Sequence, residues 1–211
     1  MNARHTSAVG LWAAGRAGYL LDLWRFATGA PANLHSLMKY RVIRALAKRI
    51  GADCLIETGT FQGVMAARCA RVFATVLTVE LDAKLAAQAK AFLAKYRNVT
   101  VYQGDAVALL PQMLAHPGAG RCVIFLDAHY SGGETAHGEV PEPAIAELDI
   151  LAQHRDRIAG IVIDDFRSFG VEDGFPTKAQ LLAAAETHFP HPAFAIRALP
   201  DQVVIERAAD A

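Results

Sequence analysis

Glu57-Thr58-Gly59-Thr60-Phe61-Gln62-Gly63 is the stretch on which the reading of this sequence turns. A short apolar run from Cys54 precedes it and a helical pattern from Gly63 to Val72 follows, so it reads as a strand-to-helix turn. Its two glycines let the backbone come close to a ligand. The spacing is G-x-x-x-G, with an acidic residue two positions before the first glycine, and it departs from the G-x-G-x-x-G dinucleotide fingerprint. Glu57 would repel a pyrophosphate, whereas it would hold an ammonium group directly or through water.

Outward from this turn, apolar runs alternate with helical patterns. Cys54 to Glu57, Val76 to Glu80, Val99 to Gln103, Cys122 to Asp127 and Ile161 to Asp164 read as strands. Gly63 to Val72, Ala83 to Tyr96, Ala106 to Leu114, Glu142 to His154 and Lys178 to His188 read as helices. Strands this apolar, separated by helices, imply a parallel sheet covered on both faces. Phe194 to Leu199 and Gln202 to Glu206, joined by Pro200-Asp201, read as a hairpin. The expected fold is α/β, a single doubly wound, mostly parallel seven-stranded Rossmann-like sheet with a C-terminal antiparallel hairpin and N-terminal accessory helices.

Before the sheet, Leu34, Leu37, Met38, Val42, Ile43, Leu46 and Ile50 recur at helical spacing up to Gly51, a helix stop. Val9 to Leu23 is apolar but interrupted by Arg16 and Asp22, so it is expected to be an amphipathic packing helix rather than a signal peptide or membrane span. Residues 1–50 are thus expected to form a helical cover on a cofactor-binding unit at 51–211, with homo-oligomer contacts through the N-terminal helices. The 211 residues, 53% apolar, suffice for one substantial core. Acidic and basic residues balance at 21 each, which argues against nucleic acid or anionic membrane and for a small-molecule partner. Cys54, Cys69 and Cys122 sit among apolar residues as reduced thiols, the pattern of a cytoplasmic protein.

Ligands in such sheets sit beyond the carboxyl ends of the strands. Glu80, ending the second strand, is suited to accept hydrogen bonds from both hydroxyls of a ribose. Asp105, after the third, would bond an adenine amino group or cap the next helix. These motifs, E-T-G-T-F-Q-G, V-E and G-D-A in order, resemble those of class I S-adenosylmethionine-dependent methyltransferases across residues 51 to 206. The resemblance implies that Glu57, Gly59, Thr60 and Gly63 surround the methionine part of S-adenosylmethionine, that Glu80 holds the ribose, and that Asp105 lies near the adenine.

Phe125 to Glu134 begins at the end of the fourth strand with Asp127-Ala128-His129, and the fifth strand ends in Asp164-Asp165. Three carboxylates brought together repel one another unless one is protonated or a cation intervenes, and an all-oxygen set suits Mg2+ or another hard divalent ion. The region is similar to metal-dependent macrocin-type sugar O-methyltransferases, which implies Asp127, Asp164 and Asp165 as metal ligands. The alternative has Asp127 on the cofactor's ammonium through water, Asp164 capping a turn and Asp165 paired with Arg167. His129 is the candidate general base, with Asp127 as its rival if a cation acidifies the acceptor hydroxyl. Glu134 and His137 either approach substrate or face solvent. His35 and Lys39, one turn apart, either reach the cofactor's carboxylate or lie on a solvated helix face. Phe166, Arg167, Phe169 and Phe175 wall an acceptor pocket or pack their loop. The expected function is methyl transfer (EC 2.1.1 type) to a small hydroxylated acceptor; the rivals are a metal-dependent hydrolase built on Asp127, His129, Asp164 and Asp165, and a non-catalytic nucleotide-binding module.

Overall fold

A computed structural model describes residues 8–28, 30, 33–127 and 142–209. His129, Glu134 and His137 lie outside the described residues.

The elements run α1 (Ala8–Thr28), α2 (Ser36–Ile50), β1 (Cys54–Thr58), α3 (Val64–Cys69), β2 (Thr75–Glu80), α4 (Ala83–Leu93), β3 (Val99–Gln103), α5 (Ala106–Leu114), β4 (Cys122–Leu126), α6 (Ala144–Ala152), β5 (Ile158–Ile163), α7 (Lys178–His188), β6 (Phe194–Ala198) and β7 (Val203–Arg207). The seven strands form one sheet in the order β3-β2-β1-β4-β5-β7-β6. β1 to β5 pair in parallel, and β7 runs antiparallel to both β5 and β6. Strands β1 to β3 are laid down to one side and β4 and β5 to the other, so the order switches between β1 and β4 and the Glu57-to-Gly63 turn stands at that switch point.

Side chains alternate along each strand, and the two sheet faces have separate cores. Ile56, Val79, Ile124 and Ile163 pack under α5, α6 and α7 through Leu110, Leu148 and Leu181. Leu55, Val76, Val123 and Val162 pack under α2, α3 and α4 through Leu46, Met65 and Leu93. α2 is therefore a core helix of the sheet; Ile43, Leu46 and Ala47 are buried in it, and Gly51 ends it at φ 65°. α1 lies on α2, and its Gly18 stands so close to the His35 ring that a Cβ there would fall 2.5 Å from it.

Several boundaries differ from the sequence expectation, those of α3, α6, β5 and α4 among them. β5 starts at Ile158 rather than Ile161, because Gly160 is a strand residue against which α2 packs: a Cβ on it would meet Leu46 at 2.9 Å. α4 ends at Leu93 rather than Tyr96.

Candidate active site at the carboxyl ends of the strands

Register and alternation bring the acidic residues to one face. Glu57 pairs with Phe125, which stands beside Val162. Two residues on from these, Asp127 and Asp164 point to the same side, the side of α2. Backbone bonds continue the ladder past the strands, with Asp127 N–H donating to Thr58 O (3.0 Å) and Asp164 N–H to Leu126 O (3.0 Å).

The glycine turn is built as its sequence requires. Gly59 sits at φ 100° and Gly63 at φ 75°, both in the left-handed region. Gly63 has a second reason to lack a side chain, since a Cβ there would fall 2.9 Å from Leu93. Glu57 is buried; its Oε2 accepts from the Thr78 hydroxyl at 2.7 Å, and that hydroxyl shares a second hydrogen bond with Thr60. Burial, with the charges of Asp127 and Glu80 behind it and the Thr78 bond opposing, pushes the Glu57 carboxyl up to about 8. Glu57, Gly59, Thr60, Met65, Lys39 and Asp127 are among the walls of a cavity of about 130 Å3.

Glu80 at the end of β2 is held by two backbone amides, Phe61 N–H on Oε2 (2.7 Å) and Asp82 N–H on Oε1 (3.0 Å). Each oxygen keeps lone-pair capacity for a further donor. Asp105 caps α5, its Oδ1 accepting from Ala108 N–H at 2.9 Å.

Asp127, Asp164 and Asp165 do converge, each offering an oxygen within 4.8 Å of the others. The ammonium of Lys39, delivered by α2, stands among them. Its Nζ is in direct contact with Asp164 Oδ2 and lies 3.8 Å from Asp127 and 3.9 Å from Asp165. Burial works against the Lys39 charge, but the three carboxylates outweigh it and hold the amine protonated above its ordinary range. Asp164 is pushed well up, by burial first and then by Asp127, with Lys39 opposing. The other Asp164 oxygen accepts from Gln202 Nε2 at 3.1 Å. Asp165 has φ 49°, a strained conformation for a non-glycine residue. Arg167 holds it, bridging Asp165 (2.5 Å) and Asp201 (2.7 Å).

The proposed ligands are thus assembled and their donor chemistry is right for a hard cation, but a metal fits poorly where a lysine ammonium already stands. Asp164 does not serve as a turn cap; it pairs with Lys39. His35 does not reach toward the cavity, because its Nδ1 and backbone N–H both bond the buried Asp22 of α1, at 2.7 and 2.8 Å. Phe169 is buried in the core with Phe166 and Phe175 stacked around it, the latter edge-on at 5.4 Å, so these rings pack the loop. Gln202, Asp201 and the buried Glu147 of α6 were not legible as site residues, and Lys39, read as reaching the cofactor's carboxylate or lying on a solvated helix face, meets the three carboxylates instead. Burial and the neighbouring Glu142 raise the Glu147 carboxyl to about 8.

No protein-family model matches the sequence, and no curated protein matches it. Solved structures do match. An O-methyltransferase from Bacillus cereus in complex with SAH superposes with a TM-score of 0.61 at 18% identity, covering 88% of this chain and 87% of that one. The chain shares the Rossmann-like fold of that protein. TomG, an O-methyltransferase from Streptomyces achromogenes in complex with SAM, covers 99% of both chains at 15% identity and TM-score 0.58. Cofactor-bound Rv0187 from MTB gives 0.61 at 20% identity, covering 97% of this chain and 93% of that one.

Proposed function

We propose that this chain is an S-adenosylmethionine-dependent methyltransferase acting on a hydroxyl of a small molecule. The observation that carries the proposal is the buried Glu57 lining a cavity behind the left-handed Gly59, one strand away from a Glu80 carboxylate already oriented by two backbone amides. A cationic amino-acid nucleoside matches that pair; a dinucleotide pyrophosphate does not. The similar structures with bound SAM or SAH support the same cofactor.

In this reading Glu80 accepts both ribose hydroxyls. Gly59, Thr60 and Gly63 leave room for the methionine part, and Glu57 and Asp127 hold its ammonium. Asp105 caps α5 with one oxygen and has the other for the adenine amino group. Bound S-adenosylmethionine supplies an electrophilic methyl on a sulfonium, which an acceptor oxygen displaces in line. The chain then has to orient that oxygen, exclude water and take its proton, through His129. Lys39 stands at the three carboxylates in the place of a divalent ion. The same lysine weakens the hydrolase alternative, which needs those carboxylates on metal. The three cysteines are buried and free, in keeping with a reducing compartment.

Calorimetry with S-adenosylmethionine tests the proposal. Wild type is expected to bind with a micromolar Kd, and Glu80→Ala to lose roughly tenfold to a hundredfold, the worth of hydrogen bonds to a charged group. Absence of binding by wild type would sink the whole reading.

A further inference from the structure

The three-carboxylate cluster and the lysine in its midst say more than that the site is acidic. We infer that Lys39 is the resident cation of this edge: its ammonium fills the place a divalent ion would take among Asp127, Asp164 and Asp165, so the site is assembled without a metal.

Geometry carries this. Both oxygens of Asp164 are in use, Oδ2 on Lys39 and Oδ1 on the Gln202 amide. Asp165 is shared between Lys39 and Arg167. An ion entering the cluster would have to expel the Lys39 side chain, which is only 14% exposed, and would meet it as a like charge if it stayed. The lysine is also firmly delivered. α2 is anchored in the core by Ile43, Leu46 and Ala47. Just before the helix, Leu34 N–H donates to Asp201 Oδ2 at 2.8 Å, and that carboxylate also receives Arg167, the partner of Asp165. Cation and carboxylates therefore share one scaffold.

The consequence for chemistry is one of specificity. A hard divalent ion binds two adjacent substrate oxygens in its coordination shell, whereas an ammonium donates hydrogen bonds and does not chelate. The acceptor then needs one hydroxyl, not a catechol or a vicinal diol. This last point rests on the methyltransferase reading; the replacement of metal by lysine does not.

The test uses the full chain without cofactor. Thermal melting and calorimetry with Mg2+ and with Mn2+ are run on wild type, Lys39→Ala and Lys39→Met, the last keeping the apolar stem. Wild type is expected to melt at the same temperature with metal or with a chelator. The variants are expected to gain metal binding, with a rise of roughly 5 to 10 °C at a hundred times Kd. A comparable metal-dependent rise in wild type overturns the inference, and so does indifference to metal in a folded variant. Should both variants fail to fold, the wild-type titration still decides, flat supporting and rising overturning. S-adenosylmethionine binding by wild type, measured separately, tells failure of the methyltransferase reading apart from failure of this one.

Discussion

Glu57 lines its cavity at a cost that depends on pH. Its carboxyl titrates near 8 in the folded chain against 4.5 for an ordinary glutamate, so between those values the folded protein holds a proton that the unfolded chain has released. Stability of the ligand-free protein therefore falls as pH rises from about 4.5 to about 8, and Glu147 pushes the same way. Glu57→Gln should flatten this slope, each pKa unit being worth about 1.4 kcal/mol. Denaturant midpoints at pH 5, 6, 7 and 8 measure it, and an unaltered slope in the variant would refute the assignment. Glu57 and Glu80 were readable in the sequence because each closes an apolar run beside a turn, where position alone predicts the surroundings. The partners of Lys39 were not. One lysine on an amphipathic helix looks like any other, and only the packing of α2 against β4 and β5 aims it at carboxylates far away in the chain.

At the scale of elements, the β6–β7 hairpin does more than close the sheet. Asp201, fully buried in its turn, accepts from Leu34 N–H and pairs with Arg167, while its backbone oxygen takes Phe166 N–H. Asp201→Ala leaves Arg167 and Leu34 N–H without that partner. The loss should be about 3 kcal/mol, as for other broken buried pairs, or a melting temperature lower by roughly 6 to 12 °C. A drop of less than 2 °C by calorimetric scanning would show the turn to be ornamental. Pro200-Asp201 announced a hairpin in the sequence, and the strands, their order of polarity and the helices between them were legible through period and punctuation. What a turn residue touches 167 positions away was not, since nothing local records it. β5, read from Ile161, in fact begins at Ile158 and takes in Gly160, on which Leu46 lies.

For the molecule as a whole, α1 leaves Leu20, Leu21, Leu23 and Trp24 exposed on a chain with no net charge to oppose self-association. We propose that a second copy covers this surface. Light scattering should give twice the chain mass for wild type and a single mass for Leu20→Glu/Trp24→Glu; a wild-type monomer at high concentration would rule it out. None of the described helices is long and apolar enough to cross a membrane. The sheet has one more property of molecular scale. Asp127 and Asp164 directly follow β4 and β5, adjacent strands about 4.8 Å apart, so one strand step sets their backbone spacing. That length is a ruler ruled by peptide hydrogen bonds. Replacing a side chain on it changes what is gripped at one mark and leaves the distance between the marks alone, so the spacing of the two carboxylate positions belongs to the backbone.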